Sequence, residues 1–295
     1  MAQKNRLFLP VALLVFLVAG AARVQAQVGM RLTAEHQRYL RYEPIELTLT
    51  LRNYSGNTLI FGDEEGTRGS LDFIIESQTQ RVTAQLDPDV NPIADIILAA
   101  GASRELKLIL NQIFDMQRND VYKITAVLEH QRLPQAYVSD VVTLEVREGT
   151  VVTERVIGIP VASEREQIRS LKVSLMLFHE TFGTIYCLRV EDDEHVYGTF
   201  RVGPYISGSK PQLDADGSSA IHVLVQVRPR LYSYAVYGLV GDVVKLRQQR
   251  YYKPSGGIPT LSRDPGYLKI LNVSPAIEGV DFRIGTENWK PRFQQ

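Results

Sequence analysis

Side chains that could do chemistry are few in this sequence, and they are far apart. The histidines are His36, His130, His179, His195 and His222, and no two of them are close in sequence. Zinc ligands usually come as His, Cys or carboxylate pairs a few residues apart, and no H-E-x-x-H is present. The sequence therefore predicts no metal site.

Other signatures of catalysis are also missing from the sequence. It contains no G-x-S-x-G and no glycine-rich phosphate loop. Cys187 lies in the apolar run TIYCLRV, which is typical of a buried small hydrophobe rather than a nucleophile. Glu43, Glu46, Glu191 and Asp242 are possible surface acids, but nothing marks two of them as a glycosidase pair. We nominate no catalytic residue and no cofactor, and we predict that the protein is not an enzyme.

Two acidic clusters could be cation sites or turns. The first is EDDEH (Glu191–His195), and turns rich in Asp are common between strands. The second is DADG (Asp214–Gly217), which resembles part of a calcium loop. A calcium loop would begin at Gln212 and end at Val223, and neither residue supplies a carboxylate. Both clusters are therefore interpreted as hairpin turns.

A group of tyrosines is the one feature that suggests binding. Five of them lie within 21 residues: Tyr232, Tyr234, Tyr237, Tyr251 and Tyr252. Rings with a polar tip suit partner surfaces and sugar faces. Tyr232 and Tyr234 are two residues apart and share one face of a strand. The alternative is that they are ordinary strand residues, because Tyr favours strands. The candidate binding residues are Tyr232, Tyr234, Tyr251 and Tyr252.

The elements that carry these residues are predicted to be strands. In YEPIELTLTLRNYSGN (Tyr42–Asn57), Ile45, Leu47, Leu49 and Leu51 alternate with polar residues, as in a half-buried antiparallel strand. About eight such short runs occupy the first half of the chain, and the second half is equally rich in them. The sequence predicts an all-β fold: a sandwich followed by a second antiparallel β domain.

The first half resembles a known type of module. The run LAAGASRELKLILNQIFDMQRNDVYKITAVLEH (Leu98–His130) is similar to the last third of bacterial immunoglobulin-like sandwich domains, in which a tyrosine opens a late strand. Tyr122 is that tyrosine, and Ile124 stands where immunoglobulins have a cysteine. The resemblance covers Val28 to Arg147. It implies an immunoglobulin-like sandwich, and one relative type inhibits proteases, although no reactive-loop signature is present.

The second half carries a faint internal repeat. Ile185–Val190 matches Leu231–Val236 at an offset of 46 residues, which is the size of a propeller blade. The segment from Lys210 to Tyr237 also resembles blade repeats of sialidase-like propellers. About 130 residues cannot supply the four blades that a propeller needs. We therefore expect a compact antiparallel β domain.

The N-terminus predicts export. Lys4 and Arg6 precede the apolar run Leu7–Ala22, and Val24-Gln25-Ala26 provides a cleavage site, as in a secretory signal peptide. Later segments are too short or too polar to cross a membrane. The predicted organisation is a signal peptide at 1–26, an immunoglobulin-like sandwich at 27–147, a linker at 148–167, an antiparallel β domain at 168–287 and a tail at 288–295.

Composition limits the possible partners. The chain has 33 basic and 33 acidic residues, and removal of the signal peptide leaves 30 basic residues. Such a balance argues against a nucleic-acid partner. We expect a periplasmic or secreted, non-enzymatic binding or structural module that contacts an envelope protein or polysaccharide. Two alternatives stay open: an extracytoplasmic hydrolase of polysaccharide or peptide, and a protease inhibitor.

Overall fold

The computed structural model describes residues 27–62, 68–79, 83, 85–86, 91–160 and 168–283. The predicted signal peptide and the predicted tail lie outside these residues. Within them, no helix has the length and apolar character needed to cross a membrane.

The first body, residues 28–147, consists of two main sheets around one core. One sheet has the strand order β1-β3-β7, and the other has the order β2-β10-β8-β5. Pairing is antiparallel except between β2 and β10. The strands are β1 (Val28–Ala34), β2 (Arg38–Leu40), β3 (Glu46–Asn53), β4 (Leu59–Ile60), β5 (Gly69–Ser77), β6 (Ile97–Leu98), β7 (Ser103–Ile109), β8 (Asp120–His130), β9 (Tyr137–Val138) and β10 (Val142–Arg147).

Alternation in sequence builds the core of this body. Leu47, Leu49 and Leu51 of β3 are fully buried, and they share one apolar cluster with Ile124 and Leu128 of β8. The polar residues between the leucines lie on the other face of the strand. The predicted half-buried antiparallel strand is therefore confirmed.

The second body, residues 150–282, consists of two consecutive antiparallel meanders. The sheet orders are β11-β12-β13-β14 and β15-β16-β17-β18-β21, with β19 and β20 forming a separate hairpin. Both sheets contribute to one apolar core, so the predicted all-β fold is confirmed. The strands are β11 (Thr150–Pro160), β12 (Ile168–Glu180), β13 (Gly183–Glu191), β14 (Val196–Pro204), β15 (Gln212–Ala215), β16 (Ile221–Arg228), β17 (Leu231–Val240), β18 (Val243–Pro254), β19 (Thr260–Asp264), β20 (Tyr267–Leu271) and β21 (Val273–Pro275).

The internal repeat falls on equivalent positions in the two meanders. Ile185–Val190 lies in β13 and Leu231–Val236 lies in β17, and each strand is the third of its meander. The matched residues nevertheless face opposite ways, because Tyr186 is in the core whereas its counterpart Tyr232 is not. The match therefore reflects similar strand order rather than a unit repeated with a common inner face.

Most of the segment predicted as a linker is a strand. Thr150–Pro160 is β11, which pairs with β12 from Thr150 opposite Leu177 to Pro160 opposite Ile168. Its β-branched residues favour a strand, whereas Gly149, Pro160 and the charged residues after it indicated a linker. The rest of the predicted linker, residues 161–167, lies outside the described residues. Only Glu148 and Gly149 separate β10 from β11.

Two side chains anchor the start of β8. The hydroxyl of Tyr122 donates to the Arg118 carbonyl at 3.1 Å. The buried carboxylate of Asp120 accepts from the Ser77 hydroxyl, from the Thr79 hydroxyl at 2.5 Å and from the Val121 amide at 2.7 Å. These bonds tie the end of β5 to the start of β8.

A buried arginine joins the two bodies. Arg201 of β14 forms ion pairs with Glu43 of the first body and with Glu180 of β12. It also donates to the Arg38 carbonyl at 2.8 Å. Glu43 in turn accepts from the Leu40 amide at 2.9 Å. Glu43 is only 7% exposed, so its interpretation as a surface acid was wrong. Its partner is 158 residues away in the chain.

A second arginine and an apolar cluster complete this contact. Arg189 pairs with Glu148 at 2.9 Å and donates to the Arg41 carbonyl at 2.7 Å. Leu40 of the first body packs in a buried cluster with Met176, Phe178 and Cys187. The predicted burial of Cys187 is confirmed, and that burial raises the pKa of its thiol.

We expect Arg201→Met to lower the free energy of unfolding by about 3–5 kcal/mol, because it leaves the charge of the buried Glu43 carboxylate without a compensating cation. Urea unfolding measures the change. Lys107→Met is the control: it breaks the exposed Lys107–Glu46 pair, and it should cost about 1 kcal/mol or less. A similar loss in the two variants would contradict the stabilising role of the buried pair.

We expect Asp120→Asn to flatten the pH dependence of stability in acid. Burial acts to raise the pKa of Asp120, but hydrogen bonds from Ser77, Thr79 and Val121 outweigh it and lower the pKa from 3.8 to about 2. The carboxylate therefore stabilises the fold above pH 3.8, and this contribution is lost as the pH falls through about 2. Unfolding free energies from pH 5 to pH 2 test this, with the exposed Asp242→Asn as control. Equal slopes in wild type and Asp120→Asn would refute it.

Candidate functional site

Three of the four candidate tyrosines lie on one face of the sheet that contains β17 and β18. Ala235 of β17 is in the core, so Tyr232 and Tyr234 project from the opposite face. The register places Tyr252 of β18 directly opposite Tyr232, and such pairs share a face. We call this surface, marked by Tyr232, Tyr234 and Tyr252, the tyrosine face.

The three rings differ in accessibility. Tyr234 is buried, at 7% exposed, whereas Tyr232 and Tyr252 are half-buried. Tyr234 supports Tyr252 in an edge-to-face contact, with ring centroids 6.3 Å apart. Tyr232 and Tyr252 are therefore the rings that a ligand can reach.

The structure separates the fourth candidate, Tyr251, from the others. Successive residues of a strand alternate between faces, and Tyr251 packs against the core of the second body. Its ring centroid lies 4.6 Å from that of Phe282. Tyr251 therefore packs on the core side of its sheet and is not part of the tyrosine face.

A chain of hydrogen bonds lies beneath this face. The Tyr234 hydroxyl is 2.6 Å from Nδ1 of His222, and Nε2 of His222 is 3.1 Å from the Asp216 carboxylate. The Asp216 carboxylate also accepts from the Ser218 amide at 2.9 Å and from the Ala220 amide at 3.0 Å. The chain links the turn before β16 to the centre of β17.

This chain packs beneath the face and fixes the position of the Tyr234 ring. Both ring nitrogens of His222 have partners, and the ring is buried. Burial raises the pKa of Tyr234. For Asp216, burial acts to raise the pKa, but the bonds from Ser218 and His222 outweigh it and lower the pKa. This chain was not predicted, because His222 stands inside the apolar run AIHVLVQV and its partners lie outside that run.

A hairpin covers one side of the tyrosine face. Gln212 of β15 donates to the Pro259 carbonyl at 2.9 Å and accepts from the Leu261 amide at 2.8 Å. Arg263 of β19 pairs with Asp214. These contacts fix the β19–β20 hairpin over β15, so the open part of the face lies along β17 and β18.

Each acidic cluster spans a strand end and the turn after it, since Glu191 ends β13 and Ala215 ends β15. Asp192 accepts from the His195 amide at 2.7 Å and from the Tyr197 hydroxyl at 2.5 Å. In DADG, Asp214 pairs with Arg263 and Asp216 bonds His222. Across the described ranges, no group of three or more His, Cys, Asp or Glu residues is placed to hold a metal ion.

A cavity of about 720 Å³ lies in the first body. Its lining includes Glu129, His130 and Gln135, and it also touches Gly62 and Arg68 on either side of a stretch outside the described residues. His130 is engaged at both nitrogens, with the Ile60 carbonyl at 2.9 Å and the Arg132 amide at 3.0 Å. His130 therefore has a structural role here.

Comparisons with known protein families, with curated proteins and with solved structures found no match to this chain.

We expect Tyr234→Phe to lower the free energy of unfolding by about 1–3 kcal/mol, because it leaves a buried nitrogen of His222 without its partner. Chemical denaturation measures the loss. Tyr205→Phe is the matched control, because Tyr205 is 42% exposed and its hydroxyl can bond water. An unchanged stability of Tyr234→Phe would show that the hydrogen-bond chain does not support the fold.

Proposed function

We propose that this protein is an exported, non-enzymatic binding module of the cell envelope that contacts a polysaccharide through the tyrosine face. The observation that carries the proposal is the pairing of Tyr232 with Tyr252, two half-buried rings side by side on the face turned away from the core. A protein partner is the alternative that the experiment below separates.

The chemistry of this face suits a sugar chain. Tyrosine rings offer an apolar surface with a polar edge. Gln248 and Arg250, on the same face, add amide and guanidinium donors. Tyr232 and Tyr252 lie on adjacent strands of a sheet, and the buried Tyr234 packs against Tyr252. Little conformational freedom is therefore lost when a ligand binds.

Export is part of this proposal. It is supported by the signal-like N-terminus. Cys187 is the one cysteine of the sequence and is buried, so the exported chain would have no internal disulfide. Such a chain depends on its cores rather than on disulfides for stability. We place the protein in the periplasm or outside the cell.

We further propose that the first body is an immunoglobulin-like sandwich that acts as a support for the second. The bond from the Tyr122 hydroxyl back to the Arg118 carbonyl supports this, since a similar tyrosine bond occurs in immunoglobulin domains. The contacts of Arg201 and Arg189 with the first body hold the second body in a defined orientation.

We expect Tyr232→Ala and Tyr252→Ala each to weaken polysaccharide binding about 30-fold, the effect of losing a binding contact of about 2 kcal/mol. Native-gel affinity electrophoresis against a panel of neutral and acidic polysaccharides measures it. Tyr54→Ala is the control, because Tyr54 is 52% exposed and lies on the first body.

Two outcomes would contradict the proposal. In the first, no polysaccharide of the panel retains the wild-type protein, and the wild type instead captures an envelope protein that the Tyr232→Ala and Tyr252→Ala variants fail to capture. The other is polysaccharide binding that both tyrosine variants keep. Hydrolysis of a panel member by the purified protein would contradict its non-enzymatic part.

A further inference from the structure

Strand β18 carries an unusual concentration of positive charge. Its sequence, VVKLRQQRYYKP, has four basic residues and no acid. Lys253 pairs with Asp281 at 2.8 Å. The other three, Lys245, Arg247 and Arg250, are exposed, and we call them the basic stripe.

The pairing register puts the basic stripe on the tyrosine face. Lys245 is opposite Gly238 and Arg250 is opposite Tyr234, and both Gly238 and Tyr234 project away from the core. Arg247 is the extra residue of a bulge between these two pairs. Its guanidinium lies over Gly238, where any side chain would collide with it.

Nearby acids do not neutralise the stripe. In the part of the chain that the structure describes, none of the three cations has a carboxylate within 4 Å. The acids around this sheet are engaged elsewhere: Asp214 with Arg263, Asp216 with His222, and Asp242 near Arg169 at 3.7 Å. The open part of the tyrosine face is therefore positively charged.

The stripe and the rings form an extended line rather than a pocket. Strands rise about 3.3 Å per residue, so Lys245 and Tyr252 are roughly 20 Å apart along β18. A line of this length, with rings at one end and cations along it, fits several units of a chain better than a single sugar.

We propose that the ligand of the tyrosine face is an acidic polysaccharide, whose sugar rings pack on Tyr232 and Tyr252 and whose carboxylates pair with Lys245, Arg247 and Arg250. This inference rests on the function proposed above and specifies its substrate class. Arginine suits carboxylates in particular, since its planar fork can donate two hydrogen bonds to one group.

The test uses the full mature chain and three probes: polygalacturonate, alginate and hyaluronate. Each probe is compared with its own carboxyl-reduced form, which keeps the sugar chain and removes the charge. We expect wild type to bind at least one acidic probe about tenfold more tightly than its reduced form. Its binding should weaken as salt rises above about 0.1 M, where the Debye length falls below about 10 Å.

The variant Lys245→Gln/Arg247→Gln/Arg250→Gln should lose this preference and bind the acidic and reduced forms alike. Gly238→Ala should weaken acidic binding severalfold without changing the net charge, because it displaces the Arg247 guanidinium. The matched control is Arg31→Gln/Arg104→Gln/Lys123→Gln, which removes three exposed charges from the first body. Equal unfolding midpoints show that all variants are folded.

The outcomes separate the two proposals. Tyrosine-dependent binding of reduced and acidic forms with equal affinity overturns the acidic ligand and leaves polysaccharide binding standing. If the protein binds none of the probes, charged or reduced, the acidic ligand is overturned. Binding to the neutral polysaccharides of the earlier panel would then support the proposed polysaccharide binding, and its absence would contradict it. The inference is also overturned if the protein binds single-stranded DNA more tightly than it binds every polysaccharide. It is overturned as well if the variant Lys245→Gln/Arg247→Gln/Arg250→Gln still prefers the acidic probes to their reduced forms.

Discussion

The buried ion pair between Arg201 and Glu43 is the constraint on which the arrangement of this molecule depends. A guanidinium removed from water is costly unless its charge and its donors are matched. Here the matching groups come from both bodies: the Glu43 carboxylate and the Arg38 carbonyl from the first, and Glu180 from the second. The first body therefore has to lie against β12, β13 and β14. This contact occupies the outer face of the first meander, and it leaves the outer face of the second meander as the surface available for a ligand.

The two meanders have the same strand order but different outer faces. In the first, the outer face carries Met176, Phe178 and Cys187, which pack against Leu40. In the second, it carries Tyr232, Tyr252 and the basic stripe, and a hairpin covers only its far side. An apolar face with buried cations needs another protein surface over it, whereas half-buried rings beside unpaired cations can remain in water. The chemistry of the side chains thus explains why one face is covered within the chain and why the other stays open to solvent.

Local pattern was sufficient to predict most of the strands but not the contacts between distant parts. The alternation of Ile45, Leu47, Leu49 and Leu51 predicts β3 because burial of one face is decided within the strand. The burial of Glu43 was not predicted, because its partner Arg201 lies 158 residues away in the chain and local sequence patterns do not indicate such distant contacts. Thr150–Pro160 forms a strand although the predicted linker begins with Gly149 and contains Pro160, two residue types that are usual in loops. Tyr251 and Tyr252 could not be sorted by sequence, because one step of register decides which of two neighbours faces the core.

The bulge at Arg247 shows why register matters for the proposed ligand. Lys245 has an odd number and Arg250 an even one, so in a regular strand they would point to opposite faces. The bulge shifts the alternation by one residue, so Lys245, Arg250 and Tyr252 all project to the tyrosine face, opposite Gly238, Tyr234 and Tyr232. Without it, Lys245 would face the apolar core, where an unpaired ammonium is strongly unfavourable. Glycine at 238 leaves room for the extra arginine that the bulge presents. Bulges often redirect side chains beside functional sites, and this one brings together the charges that an acidic chain would meet.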